Sequence, residues 1–287
     1  MKYTNKYNLH DALVSAIAAD WYEQDGRISV TWLIGPPRIR QLKMRYADHL
    51  EEDVSEGIWR LLGSAVHGVL ERAEVEGTIQ ERRISTEILG WRVTGQADLW
   101  TPPATLDDYK VTSAWSAIRE PKPDWISQLN CYARLTRLDG RPVEALRIIA
   151  IYRDWSRSRA KRDKDYPKIA AGVISIPCWP DEQAAKYMED RVRLHQEAGK
   201  LDDGDLPLCT PEERWDKPTT WAVRRKGRKS ALRVLDTEEE AKANMEPRGA
   251  GHYIEERPGE STRCLGYCPV ADFCDFGRMI KKEQAAS

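Results

Sequence analysis

Apolar residues recur every three to four positions over residues 10–23, where Leu13, Ile17, Ala18 and Trp21 fall on one helical face. A second helix is expected after Pro36-Pro37. The longest helical signal covers residues 54–76, with Ile58, Leu61, Leu62, Val66, Val69, Leu70 and Ala73 as an apolar stripe and His67 inside the segment. Over residues 79–111 the period shortens to that of strands: Ile84, Thr86 and Ile88, then 91–94, then 97–100, then 105–111, turned at Gly90 and at Pro102-Pro103. Helical segments follow to about residue 138. The run 145–152 is short and β-branched enough for a buried strand, 173–176 is another strand, and 181–199 is a helix opening near Asp181 and closing near Gly199. Helices, meander, helix, strand, strand, helix make a mixed α/β core.

From Leu206 onward the chain is richer in Pro, Gly and charge, with a small hairpin expected between 221–223 and 232–235. The expected organisation is a helical segment over 1–30, a core over 31–205 and a cysteine-bearing appendage over 206–287. The 287 residues are 41% hydrophobic and 32% charged, which fits a packed core and argues against a wholly disordered chain. No apolar run reaches the ~18 residues of a membrane span, and Met1 to Lys6 lacks a secretory leader. A cytoplasmic protein without membrane contact is expected. Eleven Trp stand beside two Phe, and most should be core or half-buried platforms.

The segment from Gly95 to Lys110 carries the most chemistry. In a strand Asp108 and Lys110 project to one side and Asp107 and Tyr109 to the other, and Asp98 on the preceding strand is placed to lie alongside Asp108. Two carboxylates brought together repel unless a divalent cation sits between them, and their hard oxygens suit Mg²⁺ or Mn²⁺. A nearby ammonium can orient an attacking water and stabilise charge on a phosphate. A register slip would offer Asp107 in place of Asp108 but without its same-side lysine, so Asp108 is preferred.

Gly63 and His67 on a helix, Gly95 and Asp98, Asp108 and Lys110, and Gln128 and Tyr132 follow one another in order. In this the sequence resembles the RecB-type branch of the PD-(D/E)xK nuclease superfamily, which includes the AddB and RecB nuclease domains, CRISPR-associated exonucleases and many phage exonucleases. The resemblance frames residues 30–150 and implies a restriction-endonuclease-like core, a mixed sheet flanked by helices. It implies that His67, Asp98 and Asp108 ligate the metal, with the backbone carbonyl of Val111 as a further ligand, and that Lys110 positions or activates water. Gln128 and Tyr132, on one helix face, would approach the site or the DNA backbone. Glu71 and Glu87 are weaker candidates around the metal.

Cys264, Cys268 and Cys274 crowd together at spacings of four and six, and Cys209 is the best placed fourth ligand. Soft thiolates select Zn²⁺ or an iron–sulfur cluster. Several RecB-type nucleases hold a [4Fe–4S] cluster with a terminal Cys-x5-Cys, the spacing of Cys268 and Cys274. The resemblance therefore favours [4Fe–4S], with Zn²⁺ as the alternative, although here no cysteine precedes Cys131. Cys131 and Cys178 stand in apolar contexts.

Charge is nearly balanced, 45 Lys+Arg against 46 Asp+Glu, yet locally segregated. Residues 147–164 hold seven basic side chains, among them Arg153 and Arg157, against Asp154 and Asp163. Residues 224–233 hold six, including Arg224, Arg225, Lys226, Arg228 and Lys229, with no acid. Such runs suit phosphate backbones, and Trp155 between Arg153 and Arg157 could stack on an unpaired base. The leading expectation is a metal-dependent DNA exonuclease of phage or bacterial recombination or repair, acting on single- or double-stranded ends. A single-strand annealing or binding protein is its expected helper. An endonuclease, a CRISPR-adaptation trimming nuclease and a non-catalytic nucleic-acid-binding module held by a metal–thiolate site stand as alternatives.

Overall fold

A computed structural model describes residues 2–19, 28–73 and 75–286. The chain divides into two compact units, residues 1–40 with 47–201 and residues 41–46 with 202–287. The first unit opens with β1 (Lys2–Thr4), α1 (Asp11–Ala19), β2 (Ile28–Ser29), α2 (Val30–Ile34) and α3 (Pro37–Arg45), the last continuing into the second unit. It continues with β3 (Glu51–Asp53), α4 (Ile58–Leu70), β4 (Ile79–Ile88), β5 (Trp91–Thr101) and β6 (Thr105–Thr112). Then come α5 (Pro123–Leu138), β7 (Ala145–Tyr152), α6 (Arg157–Arg162), β8 (Ala171–Ile176) and α7 (Asp181–Ala198).

Six strands form the central sheet, in the order β2-β5-β6-β7-β8 with β4 also paired to β5. β4, β5 and β6 are an antiparallel meander, and β6 and β7 run parallel across the crossover helix α5. A parallel pair requires such a crossover, and it supplies the apolar cover that the sheet needs. Along β7 every second residue, Leu146, Ile148, Ala150 and Tyr152, is buried. Leu129 and Leu135 of α5 and Met188 and Val192 of α7 belong to the same core. Each fully buried side chain of this size contributes about 1.5–3 kcal/mol relative to exposure. The fold is thus mixed α/β, a mixed sheet flanked by helices, as expected.

Local expectations are corrected in two places, and a third falls partly outside the described residues. The helix expected over 10–23 is described only as α1, and residues 20–27 lie outside the described residues. Residues 91–94 and 97–100, read as two strands, are one strand, β5. The helix expected over 54–76 is α4 alone, preceded by a 3₁₀ turn at Val54–Gly57, and none of its thirteen residues is fully buried. Its apolar stripe does not enter the core: Leu62 and Val69 are exposed.

The second unit contains α8 (Pro211–Arg214), β9 (Asp216–Lys217), β10 (Thr220–Arg225), β11 (Arg233–Leu235), α9 (Glu238–Met245), β12 (His252–Arg257), β13 (Glu260–Ser261), α10 (Thr262–Gly266) and α11 (Asp275–Ala286). The expected hairpin is present as β10 and β11, with Trp221 opposite Leu235. β12 adds a third antiparallel strand on the other side of β10, which no apolar alternation announced. Among the described residues no helix is long and apolar enough to cross a membrane.

Candidate metal centre

The β5–β6 ladder pairs Thr101 with Thr105, Trp100 with Leu106 and Leu99 with Asp107, and there it stops. One step further the Asp98 side chain replaces the ladder: its Oδ2 accepts a hydrogen bond from the Tyr109 backbone N–H at 2.5 Å. The strands therefore part where Asp98 and Asp108 stand. Asp98 Oδ1 lies 3.4 Å from His67 Nδ1. His67 Nε2 is 3.0 Å from the carbonyl oxygen of Tyr109. A carbonyl can only accept, so Nε2 donates to it and Nδ1 faces the carboxylate, where it donates when protonated and offers its lone pair to a metal when not.

Glu81 completes the group. The pairs Gln80 with Leu99 and Arg82 with Ala97 flank Glu81 and Asp98, so the register sets these two opposite one another. Ligand atoms of His67, Glu81 and Asp98 all lie within 4.8 Å of one another. Glu81 adopts φ 47°, a left-handed backbone that a non-glycine strand residue rarely takes. Its carboxylate accepts a hydrogen bond from Gln96 Nε2. Burial raises the Glu81 pKa, with the Gln96 bond opposing. His67 is held above its ordinary pKa, first by its hydrogen bond to Asp98. Uncompensated acidic oxygens and a basic imidazole in one place are the donor set of a hard divalent cation.

Asp108 is buried at 3% exposure, and its pKa is pushed up to about 6 by that burial, with the Lys110 ammonium pulling the other way. Lys110 Nζ stands 2.5 Å from Asp108 Oδ2, an ion pair off the line of a hydrogen bond, and that oxygen has no other partner. Asp107, in contrast, is fixed by a bidentate pair with Arg147 at 2.6 and 2.9 Å, which engages it away from the metal group. Val111 sits in the β6–β7 ladder opposite Ile151.

A cleft of about 700 Å³ opens onto the group, lined by His67, Glu81 and Gln96, by Gly63, Ser64 and Gly68 of α4 and Glu71 just past its end, and by Tyr132. Space beside Gly63 and Gly68 is open, with no atom within 4 Å of where a Cβ would stand. Gln128 Nε2 donates to Tyr132 Oη at 3.0 Å, and burial raises the pKa of this tyrosine, keeping it a neutral hydroxyl. Glu71 thus borders the cleft, whereas Glu87 lies in a separate hollow beside Arg134 and Met188. Sequence reasoning named Glu71 and Glu87 and missed Glu81. The stretch Ile79-Gln80-Glu81-Arg82-Arg83 has no apolar alternation to fix its register, and only register brings Glu81 to Asp98.

In the second unit Cys209, Cys264, Cys268 and Cys274 are near enough for their charges to act on one another. Burial pushes the Cys209 thiol up to about 12 and the Cys264 thiol to about 11. No three cysteine sulfurs come within 4.8 Å of one another among the described residues. The four thiols form a neighbourhood and not a closed tetrahedron. Cys131 is buried in the first unit's core, and Cys178 packs against that core.

The basic candidates separate by what engages them. Arg224 is paired with Glu255 and with the Lys229 carbonyl, while Arg225, Lys226, Arg228 and Lys229 belong to the β10–β11 hairpin and its loop and are exposed. The Trp155 indole N–H donates to the Pro167 carbonyl and its ring packs against the core, so it is not the open stacking surface expected. Arg157 is exposed at the start of α6. The Arg153 guanidinium lies over the ring of Trp59.

No protein-family model matches the sequence, and no curated protein matches it. Among solved structures it is similar to SSO0001, at 21% identity over 63% of this chain and 84% of that one, with a TM-score of 0.43. It is also similar to the alkaline exonuclease LHK-Exo from Laribacter hongkongensis, at 14% identity over 66% and 100% of the two chains and a TM-score of 0.33. The same exonuclease in complex with dAMP gives 13% identity, 60% and 89% coverage and a TM-score of 0.31. At these values the likeness transfers no residue role to this chain.

Proposed function

We propose that this protein is a divalent-metal-dependent DNA exonuclease of the RecB type. The observation that carries the reading is the meeting of His67, Glu81 and Asp98 within 4.8 Å, beside the buried Asp108–Lys110 pair at the point where β5 and β6 part. His67 through Nδ1, Asp98 and Glu81 would hold Mg²⁺ or Mn²⁺, with Asp108 and the Val111 carbonyl completing the set. When bound, the cation supplies Lewis-acid stabilisation of charge on a phosphodiester and a more acidic water. Lys110 holds a donor over the same place, orienting the attacking water and balancing charge on the phosphate oxygens. Tyr132, fixed by Gln128, presents a neutral hydroxyl to the cleft for the nucleotide or its backbone. Arg153, Arg157, Arg225, Lys226, Arg228 and Lys229 would meet phosphates of a single- or double-stranded end.

The four cysteines would hold a [4Fe–4S] cluster, with Zn²⁺ as the alternative, as a staple of the second unit. The role belongs with cytoplasmic DNA recombination or repair in bacteria or phage, beside a single-strand binding or annealing protein. The test is digestion of end-labelled linear and closed-circular DNA with Mg²⁺ or Mn²⁺, comparing wild type with Asp108→Ala. Linear DNA is expected to disappear while circles survive, and the variant should lose at least about a hundredfold in rate. Cutting of circles would make it an endonuclease on the same chemistry. Intact linear DNA after incubation with folded, metal-replete wild type would overturn the catalytic reading in favour of a binding module.

A further inference from the structure

Trp59 stands on the first turn of α4 and is 58% exposed, although tryptophan is among the side chains with most to gain from burial. The Arg153 guanidinium caps its ring at 4.6 Å from the centroid. Arg153 follows β7 directly, and its backbone N–H donates to the carbonyl of Thr112 at 3.0 Å, so the pair is fastened to the end of β6, two residues past Lys110. A second cation stands nearby: Lys122 lies over Trp125 at 4.7 Å and feels the charge of Arg153. Among the described residues neither cation has a carboxylate in ion-pair range; Asp124 acts on Lys122 only from further off, and Asp154, which Arg153 also influences, is engaged by the Ser113 hydroxyl and the Ala114 N–H. Two like charges with aromatic faces and no carboxylate pair are arranged for an anion with a planar neighbour, which is a nucleotide.

Geometry also sets the distance to the metal group. Trp59, Gly63 and His67 are four residues apart in succession and share one side of α4. Gly63 leaves that side open. Trp59 and His67 are therefore separated by about 12 Å along the helix axis, the rise of roughly three to four stacked nucleotides.

We propose that Trp59 and Arg153 form a platform on which an unpaired base of the substrate strand stacks, with Lys122 receiving an adjoining phosphate, so that the enzyme prefers a strand that is single near its end. This rests on the nuclease reading and adds a substrate class to it. Duplex ends present paired, stacked bases and cannot use an indole face in this way, whereas every unpaired base can.

The test is binding of the full chain, in an Asp108→Asn background that prevents digestion, to labelled oligodeoxythymidylates carrying one abasic residue at successive positions from the end. Affinity should drop about tenfold when the abasic residue falls roughly two to four nucleotides in, and recover beyond it. Trp59→Ala should weaken binding of the intact strand by a similar factor and abolish the dip, Trp59→Phe should retain part of both, and blunt duplex should be little affected. The abasic series needs no change at the platform, so it stands even where Trp59→Ala folds poorly. Tight binding with no positional dip would overturn the platform and leave the nuclease reading to the digestion assay. Absence of binding to any DNA would overturn both.

Discussion

The two units bury very different things. The first encloses a continuous core of side chains from five strands and four helices, with Leu33, Leu106, Leu129, Leu135, Leu146 and Ile148 all at 2% exposure or less. In the second, the buried hydrophobic residues among those described are Leu42, Leu206, Ala222, Val223, Ala241, Cys264, Val270 and Ala271. Half of these are alanine or cysteine. With so little apolar volume buried, the second unit gains less from packing than the first, and the thiolate site proposed for it would add a staple. The acidic group of the first unit is positioned by strand register whether or not a cation is there. The cysteine neighbourhood of the second is the part whose fold should depend on its ligand.

The largest expected effect follows directly. Binding free energies of structural metals are on the order of 10 kcal/mol and are folding free energies for small domains. Cys268→Ser should lose the bound metal or cluster, and backbone hydrogen exchange should accelerate throughout residues 202–286 while α5 and β7 keep their protection. Metal analysis and exchange by mass spectrometry read this out. Unchanged metal content together with unchanged exchange in the second unit would remove the staple and leave four reduced thiols.

A smaller effect belongs to the first unit and comes from a histidine that the sequence reading did not single out. His195 of α7 is fully buried, donates from Nε2 to the Leu33 carbonyl at 3.0 Å, and leaves Nδ1 without a partner. Burial lowers its pKa to about 4, helped by Arg191 and Arg40 and opposed by the Leu33 bond. Between about 6.5 and 4 the unfolded chain therefore binds the proton that the folded chain refuses. The stability due to neutral His195 is complete above the unfolded pKa and is lost as pH falls toward 4, by up to roughly 3 kcal/mol. Denaturant melts of the first unit at a series of pH values should show this slope, and His195→Gln, which keeps an N–H for Leu33, should flatten it. An equal slope in the variant would assign the pH dependence elsewhere.

How much of this was legible in the sequence depended on whether a feature is set by local period or by pairing. Asp108 and Lys110 follow from the two-residue period of one strand, and their contact is present. So is the Gln128–Tyr132 bond, which needs only the helical period. Glu81 needed the β4–β5 register and was missed. Residues 91–94 and 97–100 were read as separate strands, yet Gly95 between them is the point where β5 packs against Leu135 and Tyr132 of α5. The α4 stripe had the right period but no core to face, since periodicity states which residues share a side and not what covers it. Trp155 and Trp59 show the same limit: both are tryptophans near basic residues, and only the fold decides which indole stays exposed.

Gly95 gives the smallest and sharpest test of the contrast between the units. A Cβ there would stand 2.6 Å from Leu135 Cδ1 and 2.9 Å from Tyr132 Cδ1. Leu135 is 1% exposed, so neither neighbour has space to retreat into, and Gly95→Ala should cost about 1–3 kcal/mol, lowering the melting temperature by several degrees. Because Tyr132 borders the cleft, the same change should also weaken Mn²⁺ binding, measured by calorimetry, more than the lost stability alone accounts for. Gly204 in the second unit meets nothing within 4 Å, and Gly204→Ala should be neutral in both measurements. A Gly95→Ala protein that melts and binds metal as wild type does would show that α5 yields easily, and that the first unit does not hold its acidic group as rigidly as its packing implies.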